Sequence, residues 1–481
     1  MKSVSRDPAS KKVILVHPPM YLRSLYGDLA DAGSELPPQG LCALAAVLRR
    51  GNYQPVIIDG TAEKLNIRQT LYRIKQNLPA LFVGFSLYYV AEQTVSRLAK
   101  LLKADNSGLP IVVGGGHASI MKEKILENYP EIDISVIGEG EETVIALAST
   151  LEQKQDLDIV KGIIFRKEDK VVVNPPRPPL QNLDKFPFPA WDLLPSLTKY
   201  YQPAGDSLKR SPSTILISSR GCPGNCFFCN KNMFGSKVRQ NSPQYVIAEM
   251  RYLRKQFGIR DIYFADDTFI ANHDWVMIFC RLLLKEKIDI TWSCHGRTDL
   301  VDLPLLQLMK KAGCWQICFG IESGSQKVLD AINKQITVEQ NKKALKMCQQ
   351  AGLAVKGLFM VGSFGENRDT IEETKRFLKE NYMTEFHATC FVVLPGTVAE
   401  KIWPRYGKNP KSKIPPITAY PSFIPFGLTK KELIRVHKDL YRTFYFRWRI
   451  MWHFFKKFQD IGQIGKIVRS SLALLRYVVS Y

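Results

Sequence analysis

No stretch of this 481-residue chain approaches the roughly 20 apolar residues that a bilayer-spanning helix requires. The longest apolar run, residues 80–91, is about half that length and reads as a buried strand with its flanks. Cysteine is sparse, and ten residues in 481 exclude a disulfide scaffold. The opening MKSVSRDPASKK is polar, and the apolar run at 13–16 is too short for a secretory signal. A reducing cytoplasm is therefore the expected compartment. Acidic residues are outnumbered, 45 Asp+Glu against 67 Lys+Arg, which leaves a net charge of +22. Such a chain suits nucleic acid, an anionic membrane surface or an acidic substrate, and charge alone does not choose between them. No Gly-x-Gly-x-x-Gly follows the first strand-like segment, which argues against a dinucleotide. What remains is ordinary. With 45% hydrophobic, 11% aromatic and 23% charged residues, the composition excludes a disordered or fibrous chain.

From residue 12 to about 151, short β-rich runs alternate with segments of helical period. Strands are expected at 13–16, 55–59, 80–86, 110–116 and 134–140, with helices at 41–50 and 92–103 between them. This order implies an α/β domain with a parallel sheet, Rossmann-like or flavodoxin-like, with its ligand at the carboxyl ends of the strands. Those ends read His17-Pro18-Pro19, Gly84-Phe85-Ser86, Gly114-Gly115-Gly116-His117 and Gly138-Glu139-Gly140-Glu141. Repeated glycines let backbone approach a large flat ligand, although any one of them can simply make a tight turn. His17 and His117 read first as core histidines rather than metal ligands.

Residues 153–210 are proline-rich with scattered aromatics and read as an ordered linker. A second pattern of six strands follows at 214–218, 261–266, 290–294, 315–322, 356–362 and 387–394, each neighbouring pair separated by a helix-length segment. That succession predicts a partial (β/α)6 barrel, with its chemistry at the carboxyl ends of the strands.

Immediately after the first of these strands comes Arg220-Gly221-Cys222-Pro223-Gly224-Asn225-Cys226-Phe227-Phe228-Cys229. Three thiolates at C-x3-C-x2-C spacing on one short loop can ligate three corners of a [4Fe–4S] cluster and leave the fourth iron open. Zinc would want a fourth protein ligand, and none is adjacent. The other seven cysteines fall in apolar strand or helix patterns and are expected to be buried thiols.

The loop resembles the Cys-x3-Cys-aromatic-aromatic-Cys signature of radical S-adenosylmethionine (SAM) enzymes. That resemblance implies cluster ligation by Cys222, Cys226 and Cys229, and an aromatic beside the adenine at Phe228. Asp266 in Ala265-Asp266-Asp267-Thr268, Arg297 in Gly296-Arg297-Thr298-Asp299, and Glu322 with Ser323 in Gly320-Ile321-Glu322-Ser323 resemble the SAM-contacting strand ends of that family. The expected roles are Arg297 on the SAM carboxylate, and Asp266 or Glu322 on the ammonium or ribose hydroxyls. Residues 361–366 resemble the strand-five Gly-x-Pro-Gly-Glu loop, except that Phe364 replaces the proline.

The first domain in turn resembles the cobalamin-binding domain of the B12-dependent radical SAM class. This implies corrin contacts from Pro18, Ser86, Gly114, Gly115, His117, Gly138, Glu139 and Gly140. No Asp-x-His-x-x-Gly occurs in the first 150 residues, so the resemblance implies no protein histidine below the cobalt. The expected organisation is a cobalamin domain at 10–152, a linker at 153–210, a radical SAM barrel at 211–400 and a basic, aromatic helical extension at 401–481.

From residue 431 onward there are eleven Lys+Arg against three Asp+Glu, and residues 441–458 pack nine aromatics among the basics. One reading is an amphipathic helical hairpin in peripheral contact with an anionic membrane. The other is a helical cap under the barrel or the cobalamin domain. Nucleic acid is not expected, because the relatives that add sulfur to transfer RNA carry three N-terminal cysteines and only Cys42 precedes Cys222 here. The resemblance therefore implies an enzyme that cleaves SAM reductively and methylates an unactivated carbon through methylcobalamin. Its electrons would come from a flavodoxin- or ferredoxin-type donor, and its substrate would be a small or lipid-like molecule. An oxidative cyclase or ring-rearranging enzyme with the same cofactors is the alternative. A non-catalytic, membrane-associated cobalamin or redox-sensing module is a third reading, disfavoured because a structural cluster wants a fourth cysteine.

Overall fold

Five apolar runs in the first part of the chain become five parallel strands: β1 (Lys12–His17), β2 (Gln54–Asp59), β3 (Phe82–Ser86), β4 (Ile111–Gly114) and β5 (Ile134–Val136). Their residues are almost continuously buried, as strands covered on both faces must be. Between them run helices α1 (Gln39–Arg50), α2 (Ile67–Lys75), α3 (Glu92–Asp105), α4 (Gly116–Met121) and α5 (Glu123–Asn128), and α6 (Glu141–Glu152) follows β5. The computed structural model describes residues 11–20, 33–201, 208–409 and 420–448, together with 450, 472, 476 and 477.

The strand order is β2-β1-β3-β4-β5, the flavodoxin-like arrangement, in which the order reverses between β1 and β3 and opens a crevice at their carboxyl ends. Two further strands, β6 (Ile163–Lys167) and β7 (Lys170–Val173), extend this sheet as an antiparallel hairpin. They lie in the stretch expected to be linker. Two short apolar runs lie among its prolines, and the turn between them uses Glu168 at φ 53° in place of the usual glycine. As far as Tyr200 the rest of that stretch is bound to the first sheet unit, whereas Lys209 and Arg210 bond to Asp261 and Asp289 of the second. Trp191 is buried, the N–H of Ala190 donates to Cys42 at 2.9 Å, and the Arg49 fork holds Asp192 at 3.2 and 2.8 Å.

The second unit starts with β8 (Ser213–Leu216) and a two-residue ladder, β9 (Ser219–Arg220) against β10 (Arg239–Gln240). It continues as α7 (Pro243–Phe257), β11 (Asp261–Phe264), α8 (His273–Glu286), β12 (Thr291–Gly296), α9 (Leu303–Lys311) and β13 (Cys314–Glu322). After α10 (Gln326–Ala331) and α11 (Val338–Ala351) come β14 (Ala354–Val361), α12 (Arg368–Glu380), β15 (Glu385–Cys390) and α13 (Val398–Ile402). The six long strands pair in parallel in chain order, β8 to β15, as a partial barrel. Aromatic rings fill the space behind β11 and β12: Phe264 meets Phe269 at 4.5 Å, and Trp275 stacks on Phe279 at 5.4 Å. All seven cysteines expected to be buried are buried.

Helix α14 (Lys430–Tyr445) opens with a capping box between Thr429 and Glu432. It packs along β15, the edge strand, which would otherwise expose a row of unpaired backbone groups. The Tyr441 hydroxyl accepts from Ala388 N–H at 3.2 Å. The Tyr445 hydroxyl accepts from Phe386 N–H at 3.3 Å and donates to its carbonyl at 2.9 Å. His437 Nε2 donates to the Ala388 carbonyl at 3.0 Å, and its Nδ1 accepts from Tyr477 at 2.7 Å. This part of the tail is a cap. The remainder of the expected hairpin, beyond residue 450, lies almost wholly outside the described residues. Among the described residues, no helix is long and apolar enough to cross a membrane.

Candidate active site

The cysteine loop leaves β8 and is fastened from several sides. The β9–β10 ladder closes its neck. At Gly221 (φ +92°) a Cβ would meet the Lys237 carbonyl at 2.5 Å, so only glycine fits that turn. Backbone bonds hold the middle: Phe227 N–H donates to Ile332 at 3.0 Å, and its carbonyl accepts from Ala399 at 2.8 Å. Asn333 Nδ2 donates to the Asn225 carbonyl at 2.8 Å, and Asn230 Nδ2 to that of Pro395 at 3.1 Å. Cys222 Sγ lies 3.2 Å from Thr268 Oγ1.

The three thiols are free. Burial pushes Cys226 up, against the opposing pull of Lys334 and then, after Glu322, Arg297. Cys229 opens to solvent at its surface, yet the protein around its sulfur and the charges of Cys226 and Cys222 push it up to about 11. Thiols such as Cys226 and Cys229, whose ionisation burial opposes, would be stabilised as thiolates by a cationic partner, and the [4Fe–4S] cluster is one. Among the described residues no three His, Cys, Asp or Glu side chains are gathered to hold a single ion, and a cube that takes one thiolate per iron does not require that.

The expected SAM contacts divide. Asp266 is fully buried, and its Oδ1 accepts from Ser218 N–H and Oγ at 3.0 Å each and from Ser219 Oγ. It therefore pins the strand end that launches the loop, while its Oδ2 is buried without a partner. Burial raises this carboxyl to about 7. Arg297 spends its Nε and Nη2 on Asp299 in a bidentate pair at 3.0 Å each. Its Nη1 faces Gly224, where a Cβ would come within 2.4 Å. Glu322 sits at φ +63°, at an irregularity in the β13–β14 register, and its Oε1 accepts from Lys334 Nζ at 2.7 Å. Ser323 is buried and spent on Thr374 Oγ1 (3.1 Å) and Ser325 N–H (3.1 Å). Phe228 packs, partly buried, against the cluster containing Leu329, Ile332, Phe364 and Phe391. Phe364, in the place of the proline, is buried and stacks on Tyr406 at 4.5 Å. Next to it, Glu366 accepts from Gly362 N–H and is raised to about 7 by burial.

Lys334 escaped the sequence reading. A lysine between two helices reads as solvated, and nothing in spacing ties it to Glu322.

In the first unit the expected residues gather at the carboxyl ends of the strands. Ser119 Oγ donates to the Gly115 carbonyl at 3.0 Å and accepts from Gly138 N–H at 2.9 Å, which ties two of the turns together. The Pro18 carbonyl accepts from Thr61 Oγ1 at 2.8 Å. Ser86 and Gly114 end neighbouring strands. His117 Nε2 is buried with no hydrogen bond, 3.7 Å from Glu92. Glu139 accepts from Leu180 N–H at 3.3 Å, and at Gly140 a Cβ would press on Leu44 at 3.0 Å, so these two also serve packing. His17, which sequence left as a core histidine, pairs through Nδ1 with Asp59 at 2.9 Å beside the partly exposed ring of Tyr88. A crevice floored by glycine turns, with an unsatisfied imidazole nitrogen at its edge, fits a large planar ligand such as a corrin.

Family models agree with both halves. That of the radical SAM superfamily matches residues 216–378, and that of the B12 binding domain matches residues 27–148. Over 447 residues the chain is 31% identical to an uncharacterized methyltransferase of Pyrococcus horikoshii, covering 92% of this chain and 94% of that one. Over 379 residues it is 30% identical to the anaerobic magnesium-protoporphyrin IX monomethyl ester cyclase of Rubrivivax gelatinosus, covering 77% and 66%. The fold is that of TsrM, a radical SAM methyltransferase from Kitasatospora setae solved with cobalamin and a [4Fe–4S] cluster. The TM-score is 0.67 over 84% of this chain and 78% of that one, at 16% identity. The chain belongs to the B12-dependent radical SAM family. It is an enzyme whose cofactors are a [4Fe–4S] cluster, SAM and cobalamin, and chemistry of this kind draws an electron from an external reductant and acts on a small molecule.

Proposed function

We propose that the protein is a C-methyltransferase acting on an unactivated carbon of a small or lipid-like molecule. The observation that carries this reading is the near end-to-end match to a methyltransferase, 94% of that relative against 66% of the cyclase. When bound, the cluster supplies an electron to SAM, and cobalamin carries the methyl group. Cys222, Cys226 and Cys229 hold the cluster on a loop that Gly221, Asp266, Asn333 and the Ile332 carbonyl keep in place. Phe228 lies beside the adenine, Glu322 accepts hydrogen bonds from SAM, and Arg297 braces Gly224 across the loop. Pro18, Ser86, Gly114, Gly115, His117 and Gly138 line the corrin crevice, with Glu139 and Gly140 supporting its wall. The electron donor is of the flavodoxin or ferredoxin type, and the enzyme works in the cytoplasm, with residues 446–481 in peripheral contact with an anionic membrane.

Identity with the cyclase favours one second reading, oxidative cyclisation with the same cofactors. Anaerobic incubation of the reconstituted protein with SAM and a reductant separates the two. Methyl transfer gives 5′-deoxyadenosine together with S-adenosylhomocysteine, whereas cyclisation gives the first without the second. Absence of 5′-deoxyadenosine above a Cys226→Ala control would sink both.

A further inference from the structure

The two histidines of the first unit, His17 and His117, are held in opposite ways. His117 Nε2 is enclosed by protein with no hydrogen bond, 3.7 Å from Glu92, and the ring lies edge-on to Tyr89. His17 is the last residue of β1, beside the reversal in strand order that opens the crevice. Its Nδ1 lies 2.9 Å from Asp59 Oδ1, which also accepts the N–H groups of Thr61 at 3.1 Å and Ala62 at 2.9 Å. A carboxylate oxygen can only accept, so in the neutral ring the proton sits on Nδ1 and Nε2 keeps its lone pair. Nε2 has no hydrogen-bond partner among the described residues, and unlike that of His117 it is not sealed from solvent.

The fold keeps this ring still. Asp59 is fully buried at the end of β2. Gly60 N–H donates to the His17 carbonyl at 2.9 Å, and a Cβ on Gly60 would fall 2.9 Å from Pro19. Thr61 Oγ1 donates to the Pro18 carbonyl at 2.8 Å and accepts from Met20 N–H at 3.1 Å, so residues 17–20 are clamped along their length. Tyr88, 42% exposed and hydrogen-bonded to Ser86 at the end of β3, meets the imidazole edge-on at 5.6 Å. A carboxylate behind one imidazole nitrogen fixes the tautomer, aims the ring and makes the other nitrogen more basic. Histidines that ligate metals are supported in this way. A pair whose only task was to join β1 to β2 would be redundant, because Gly60 and Thr61 already join them. It would also bury a carboxylate at a cost and leave its second nitrogen open to no purpose.

We infer that His17 Nε2 is an axial ligand of the cobalt, on the face opposite the methyl group, with Asp59 as its positioning residue. The absence of Asp-x-His-x-x-Gly implied that no histidine lies below the metal. Here a strand end supplies one in place of that loop, with its supporting carboxylate on the neighbouring strand instead of two residues before it. The bond is a ligand exchange. The Nε2 lone pair fills the axial position that water or the cofactor's own nucleotide base would otherwise take, and no electron changes hands.

The inference rests on the cobalamin assignment, and its test tells the two apart. Full-length protein in which every histidine carries 15N is loaded anaerobically with unlabelled hydroxocobalamin. The cofactor is reduced to the cobalt(II) state and read by electron paramagnetic resonance. A nitrogen ligand of natural abundance splits each cobalt line into a triplet, whereas a 15N ligand splits it into a doublet. The labelled wild type should show doublets, and His17→Gln should lose them. The doublets should persist in His117→Gln, which assigns the ligand to His17 even where His17→Gln fails to fold. Triplets in the labelled wild type would mean that the cofactor's own base stays on the metal. Unsplit lines would mean that water, or an oxygen such as that of Tyr88, is there. Either result overturns the inference, as does a doublet that survives His17→Gln. Failure of the wild type to bind cobalamin at all would remove the cobalamin assignment and the inference with it.

Discussion

Asp266 has two oxygens with different fates. Oδ1 collects three donors from Ser218 and Ser219, whereas Oδ2 is buried with none. Burial therefore outweighs those hydrogen bonds and lifts the carboxyl from 3.8 to about 7. In the unfolded chain it ionises at the ordinary value, so between the two values the folded protein holds a proton that the unfolded one has lost. The stabilising contribution of this group is fully present below about pH 4 and is lost as pH rises through about 7. Asp266→Asn keeps an acceptor for the serines and has no charge to lose. Its melting temperature should gain on the wild type by a few degrees as pH rises from about 5 to about 8. A constant difference across that series would rule the account out. His295, pushed down to about 4 by burial, works in the opposite sense at lower pH but is common to both proteins and cancels.

At the scale of elements, the joint between α14 and β15 is unusual in using side-chain hydroxyls as the missing neighbour strand. Tyr441 and Tyr445 together meet the N–H groups of Phe386 and Ala388 and the carbonyl of Phe386, while their rings pack on Phe386 and Phe444. Tyr441→Phe keeps the ring and strips the hydroxyl, leaving the Ala388 N–H buried. A loss of about 1–3 kcal/mol in chemical unfolding is expected, with Tyr445→Phe at the lower end because that site is less enclosed. Unchanged midpoints would mean that water replaces the hydroxyls without cost. The long strands were legible in the sequence because each is a run of buried residues flanked by helical periods. The β6–β7 hairpin was not, because its turn, Glu168-Asp169, places a glutamate at φ 53° where glycine or asparagine usually marks such a turn. The cysteine loop was legible to the residue, since spacing along one loop fixes which thiols can share a cluster. Lys334 was not, because its meaning comes from Glu322, twelve residues away on another element.

For the molecule as a whole, the 481-residue chain resolves into two compact units, with the proline-rich stretch as far as Tyr200 bound to the first and the tail helix to the second. The cap accounts for the apolar face of α14 but not for its exit, where Phe446 is 56% and Trp448 76% exposed. Those rings lead into the most basic part of a chain of net charge +22. The full-length protein should pellet with vesicles containing anionic lipid and be released as salt rises, with Trp448→Ala binding more weakly. Failure to pellet at low salt would confine the tail to its capping role.

The same cap has a consequence in time. The second sheet adds its strands side by side in chain order, so a nascent chain on the ribosome can dock each new strand on the one before it. Its leading edge stays bare until Lys430–Tyr445 has been made. At roughly 5–20 residues per second, that leaves β15 uncovered for several seconds of every round of synthesis. The interval for which this protein most needs protection from its own copies is therefore set by how quickly its last described helix emerges.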